Sequence, residues 1–324
     1  MKVQSSKFKV RGLRFGVGLI ILLFAALIFA VYFGSEKLEF FEMTDAQRTI
    51  LFDIRLPRVL LGATVGASLA IAGAALQSLL RNPLAEPYLL GVSNGAALGT
   101  MLAFVFFTQF DFARPVMASI GAGVATFAVY QMAKSRAGMN VERLVLSGVI
   151  VTTFLSSIII LLTSLLDAAK LRSFTFWLLG DLSQATKGGF YLTLVVVIVG
   201  TIVLSSQARA LNLMMIGERD ALDFGVEVKR VRLIIFATAS ALVGISVAAS
   251  GSVGYVGLIV PHLVRLSVGS DNRLVVPFSA VAGAIFVVGA DTIARVAIAP
   301  RELPVGAITA LIGAPMFIYL LRKN

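Results

Sequence analysis

The chain has 324 residues, 58% hydrophobic and 14% charged, with 28 Lys and Arg against 17 Asp and Glu and a net charge of +11. Soluble globular domains carry roughly 45–50% apolar and about 25% charged residues, so a soluble core is excluded and a polytopic membrane protein is implied. Continuous rather than alternating apolar runs exclude a β-barrel, and the lack of cysteine excludes disulfide, iron–sulfur and thiolate–metal chemistry.

The first apolar run, Phe15 to Phe33, is longer than the 7–15 residues, roughly, of a signal-peptide core, and no clear small-x-small cleavage site follows it. A retained first span over 15–33 is expected. A helix needs about 20 apolar residues to cross a bilayer. On that rule the spans are 15–33, 58–80, 89–107, 115–133, 144–166, 189–206, 231–249, 253–268, 274–290 and 305–321. Gly, Pro, Ser and Asn interrupt the third and the eighth. With the N-terminus cytoplasmic, 18 of the 28 Lys and Arg fall on the inner side. The excess of cations inside puts both termini in the cytoplasm, in a multi-pass protein of the cytoplasmic membrane.

Ten spans divide into five and five, so related halves would be inverted repeats. The expected fold is all-α, with ten transmembrane helices in two inverted five-helix halves forming a single domain over 1–324. The second and seventh spans share a small-residue texture, GASLAIAGAA and ATASALVGIS. Each precedes a Pro/Gly-broken element, RNPLAEPYLLG in one half and GSVGYVGLIVPHL in the other. Broken helices in corresponding places point to a translocation path; ordinary breakage between spans explains the first nearly as well. Small residues at helical spacing (Gly62, Gly66, Ala70 and Ala74; Gly306, Ala310 and Ala314) predict close helix packing.

Between the sixth and seventh spans lies a polar island, Ser205 to Arg232, with nine charged residues. Its core, ALNLMMIGERDALDFGV, reads as a short amphipathic helix, Gly217, then helix again. The orientation places it in the cytoplasm, where it would serve as a handle for another protein.

The carboxylates all fall in loops or at span edges, with Asp167, Asp181 and Asp291 nearest the membrane. An ion-coupled carrier generally needs an ionisable group near the midplane. There is also no G-x-x-x-x-G-K-[ST] nucleotide loop. Both absences suggest energy arriving from a separate ATPase. A secondary transporter with inverted repeats is the rival reading. A membrane-embedded enzyme has few catalytic groups to use, so no catalytic and no metal residues are assigned. Arg55, Arg58 and Arg295 lie at outer span ends, either as snorkelling anchors or as a dock for an acidic partner. His262 and Trp177 read as structural, and Asp181 as a cap or turn residue.

Five segments in order over roughly residues 50–322 carry a resemblance: RLPRVLLGATVGASLAIAGAALQSLLRNPLAEPYLLGVSNGAALG, WLLGDL, ALNLMMIGERDALDFGV, GSVGYVGLIVPHLVRLSVGSDNR and ADTIARVAIAPRELPVGAITALIGAPMFIYLL. Together they resemble the FecCD family, the permease subunits of ABC importers for iron–siderophores, haem and cobalamin. The resemblance implies a homodimer around a central path, two ATPase subunits below and a substrate-binding protein above. ATP and Mg would then be bound by the ATPase, with no cofactor in this chain. It implies that 205–232 supplies short cytoplasmic coupling helices, with Leu211, Gly217, Glu218, Arg219 and Asp220 as contact candidates. It implies that Arg55, Arg58 and Arg295 meet acidic residues of the binding protein. It also implies a cytoplasmic gate at Asn82 and Leu84. A second family gate near the start of the fifth span is left unassigned, because Val141 to Ser147 match the family poorly, and residues 1–50 carry no motif.

Overall fold

The computed structural model describes residues 2–36, 43–107, 109–110, 112–135 and 138–323. Arg136, one of the cations counted for orientation, lies outside them. Helix α1 spans Lys2–Tyr32. Helix α2, Asp45–Thr49, opens on a capping box between Thr44 and Gln47. It runs through a π-helical stretch, Ile50–Arg55, into α3, Leu56–Leu79. The wider turn precedes Pro57, whose ring would crowd a regular α-helical carbonyl four residues back. Then follow a 3-10 turn Pro87–Leu90, α4 Val92–Phe106, α5 Ala113–Ala133, the hairpin β1 Lys134–Ser135 and β2 Gly138–Met139, and α6 Val141–Thr163. The second part holds α7 Ala168–Leu178, α8 Lys187–Ser206, α9 Ala208–Ile216, α10 Glu218–Asp223, α11 Val228–Ser250, α12 Val256–Val268, α13 Asn272–Val296 and α14 Val305–Lys323.

Each of the ten predicted spans overlaps a helix, although 164–166 and 253–255 lie outside α6 and α12. Among the described residues, seven helical segments are long and apolar enough to cross a membrane. The helices at Val92–Phe106, Val256–Val268 and Val305–Leu320 are shorter. Helix α7 was not expected, because Lys170 and Arg172 interrupt its apolar pattern. Helix α13 runs beyond the predicted 274–290 and carries Asp291 and Arg295 within it.

Helix α3 is the axis of the bundle, buried along nearly its whole length. Its small residues let neighbouring backbones come close. A Cβ on Gly66 would strike the carbonyl of Gly283 in α13, and one on Gly73 would strike that of Gly257 in α12. Helices α4 and α5 meet in the same way through Gly95 and Gly121. By contrast α1, α5, α6 and α8 turn large apolar side chains such as Phe24, Phe127, Phe154 and Ile202 outward. Outward apolar surface of this extent suits hydrocarbon rather than water.

Candidate functional site

The two broken elements meet inside the bundle. The Tyr88 hydroxyl donates to the Val253 carbonyl and accepts from the Val253 N–H, both at 2.8 Å. The Tyr255 N–H donates to Glu86 Oε1 at 3.0 Å. Pro87 packs against Gly257, which itself touches α3 at Gly73. Gly73 lies six residues from the end of α3, or ~9 Å along its axis, so the junction is not at the rim.

Among the described residues, Arg81 (φ 48°) and Tyr255 (φ 67°) are the non-glycine residues in the left-handed region. One sits on each broken element. Such backbone costs on the order of 1–3 kcal/mol and persists only where surrounding contacts hold it. At the first element the Asn82 side chain accepts from the Leu84 N–H at 2.8 Å, and the Ala85 N–H donates to the Asn82 carbonyl. Asn82 thus folds the turn, while the Leu84 side chain stays exposed.

At one end of the bundle the three predicted arginines are brought together but turned inward, with 5%, 6% and 3% exposure for Arg55, Arg58 and Arg295. Arg58 donates to Asp291 at 3.0 Å and to Glu302 at 2.6 Å. Arg295 donates to the other Asp291 oxygen at 2.9 Å. Arg295 also donates to the carbonyls of Ala30 and Phe33, and Arg55 to those of Val31, Tyr32 and Glu36. These guanidiniums therefore seal the C-terminal end of α1, whose last carbonyls have no partner within the helix. Snorkelling does not describe them, since none keeps its head in solvent. Asp291, expected at a span edge, is buried inside α13.

The same end holds the turn after α7. Asp181 Oδ1 accepts from the Ser183 N–H at 2.7 Å, which makes Asp181 a turn residue. Trp177 is buried and stacks near Phe174.

The island forms α9 and α10 at the opposite end. Leu211 is fully buried and seats α9 on the core, so it offers no contact area. Gly217 N-caps α10 in extended conformation. Glu218 is half-buried and pairs with Arg232 at 2.7 Å, while Arg219 and Asp220 are exposed. Gly225, at φ 78°, closes α10, with its N–H on Leu222 and the Val226 N–H on Ala221. A left-handed residue at this point is the common helix stop. The island also exposes Ile216 (74%) and Phe224 (75%), which charge counting missed. Below it Asp271 accepts from Arg273 and Asn212, and these donors, Arg273 foremost, hold its carboxyl down at about 2.

The FecCD transport family profile matches residues 19–323. The chain belongs to the FecCD transport family. A cobalamin import system permease protein of Halobacterium salinarum is 44% identical over 287 residues, 88% of this chain and 76% of the relative. A hemin transport system permease protein of Yersinia pestis is 36% identical, covering 94% of each chain. A solved chain from an inward-facing, metal-chelate type ABC transporter superposes with a TM-score of 0.86 at 32% identity, covering 95% of this chain and 98% of that one. This FecCD chain is thus an ABC importer permease, a multi-pass transport component rather than an enzyme.

Proposed function

We propose that this FecCD permease carries a metal chelate, an iron–siderophore, haem or cobalamin, across the cytoplasmic membrane by alternating access. A separate ATPase would drive the exchange between outward- and inward-open states, biasing two global conformations through its nucleotide. The observation that carries this reading is the junction of the two broken elements, Tyr88 on Val253 and Glu86 on Tyr255. Interrupted helices meeting within a bundle are where irregular backbone lines a path.

The packing also supports inverted halves with ten crossings. Helix α3 meets α13 through Gly66 and Gly283, and α11 meets α5 through Gly244 and Ala122. Exchanging second for seventh and ninth for fourth spans maps one contact onto the other. A homodimer with two ATPase subunits and a binding protein completes the assembly. The island would seat on the ATPase through Gly217, Glu218, Arg219 and Asp220, helped by Ile216 and Phe224. Asn82 and Leu84 would form the cytoplasmic gate. At the outer face a partner carboxylate would reach Arg58 by displacing Glu302, while Arg55 and Arg295 hold the platform.

Proteoliposomes holding the permease with its ATPase and binding protein test the reading. With ATP on the ATPase side and no ion gradient, uptake of at least one of cyanocobalamin, haem or a ferric hydroxamate is expected. Gradient-driven uptake without ATPase would establish the secondary-transporter reading instead. Glu218→Lys or Asp220→Lys should leave insertion intact and uncouple ATPase stimulation from uptake.

A further inference from the structure

We infer that a buried hydrogen-bond relay ties α9 of the island to both broken elements and passes movement between them. It rests on the transporter reading above. The relay begins at Arg265 in α12. Arg265 Nη2 donates to Ser78 Oγ at 3.2 Å, and Ser78 Oγ donates to Asn272 Oδ1 at 2.8 Å. Asn272 Nδ2 donates to Asn212 Oδ1 at 2.9 Å, and Asn212 Nδ2 donates to Asp271 Oδ1 at 2.7 Å. The Asn272 backbone N–H also donates to Asn212 Oδ1, which fixes that amide's orientation because a backbone N–H has no other role. The Ser78 hydroxyl also lies 3.0 Å from the Ala74 carbonyl, but that carbonyl accepts from Arg265 Nη2, and with the Ser78 proton on Asn272 every link donates in one sense, from a guanidinium to a carboxylate. Such chains polarise one another and strengthen cooperatively.

The other branch reaches the path. Arg265 Nη1 donates to Gln77 Oε1, and Gln77 Nε2 donates to the carbonyls of Gly257 and Leu258 at 3.2 and 3.0 Å. The backbone carbonyl of Gln77 accepts from the Asn82 N–H at 3.1 Å. One side chain thus contacts the first turn of α12 while its backbone anchors the gate element. Ser78, Asn272 and Gln77 are buried, which shields the middle of the relay from solvent, while Arg265, Asn212 and Asp271 at its ends are half-buried. An open pocket of about 410 Å³ is lined by Arg81, Asn82 and Pro83 together with Met215 and Arg265. It leaves the gate element room to shift when α9 moves.

Polar glue between helices would show the same distances, so the test must read transmission. The chain has no cysteine, and Leu84→Cys therefore gives a single reporter on the gate element. Its labelling rate by a small maleimide is measured in the reconstituted permease–ATPase complex, with and without ATP and vanadate. Asn272→Ala and Ser78→Ala should each reduce the nucleotide-dependent ratio of rates by roughly 2- to 30-fold. Ser78→Thr, which keeps the hydroxyl, should retain it. So should Asn94→Ala, which breaks a polar pair with Ser156 outside the relay. If Asn272→Ala does not fold, Ser78→Ala decides. An intact complex with unchanged ratios in the two relay variants overturns the relay alone, as does a reporter with no nucleotide effect in the parent. A permease that binds no ATPase overturns the transporter reading, and the relay with it.

Discussion

Asp291 is held by two arginines that reach it from opposite parts of the chain, Arg58 from 233 positions away and Arg295 from the next turn of α13. With Glu302 included, the cluster is two cations against two carboxylates. Removing one member of a buried pair leaves an uncompensated charge, which costs about 3–5 kcal/mol, whereas an exposed pair contributes roughly 0–1 kcal/mol. Asp291 is buried and the Glu302 side chain is 33% exposed. Asp291→Asn should therefore lower the thermal aggregation midpoint of the solubilised protein far more than Glu302→Gln. Equal effects would mean the cluster is solvated. This residue shows a limit of reading along the chain. The apolar run stops at Ala290, so Asp291 looks like an edge. Its burial follows from a partner in another helix, which spacing does not encode.

Among the elements, α3 and α13 are joined where two glycines face each other. Gly66→Leu would drive a side chain into the Gly283 carbonyl. Overpacking of this kind typically costs ~1–3 kcal/mol, and here the obstacle is backbone, so the upper end is expected. Gly123→Ala in α5, where a Cβ meets nothing within 4 Å, should be neutral or stabilising by about 0.5–1 kcal/mol. Yield and thermal midpoint of the two variants, measured together, check the contrast. The small-residue stripe was legible because helical spacing is local. The broken elements were legible too, since Pro and Gly mark them. Their pairing was not, because Tyr88 and Val253 share no pattern, and positive φ falls on Arg81 and Tyr255 as well as on Gly91 and Gly251. Helix α7 escaped notice because its cations break the apolar run.

Over the whole molecule, loops alternate between two ends, and cation counting assigns the island to the cytoplasm. Single cysteines test this. An impermeant maleimide added to right-side-out vesicles should label Ser183→Cys and spare Asp223→Cys; the reverse pattern would invert the assignment. Composition and run length were enough to read a membrane bundle, and the island's charge was enough to locate a handle. The exposed Ile216 and Phe224 were not read, because two apolar residues among nine charges carry no periodic signal. The sealed end of α1 has one more consequence, for biogenesis. Helix α1 leaves the ribosome well before α13, yet the Phe33 carbonyl is capped by Arg295, 262 residues later. At ~5–20 residues per second, that interval is roughly 10–50 s. An early helix is thus completed by a later one, and a nascent chain cut short before α13 would leave Arg55 on Val31 and Tyr32 but no arginine on the carbonyls of Ala30 and Phe33.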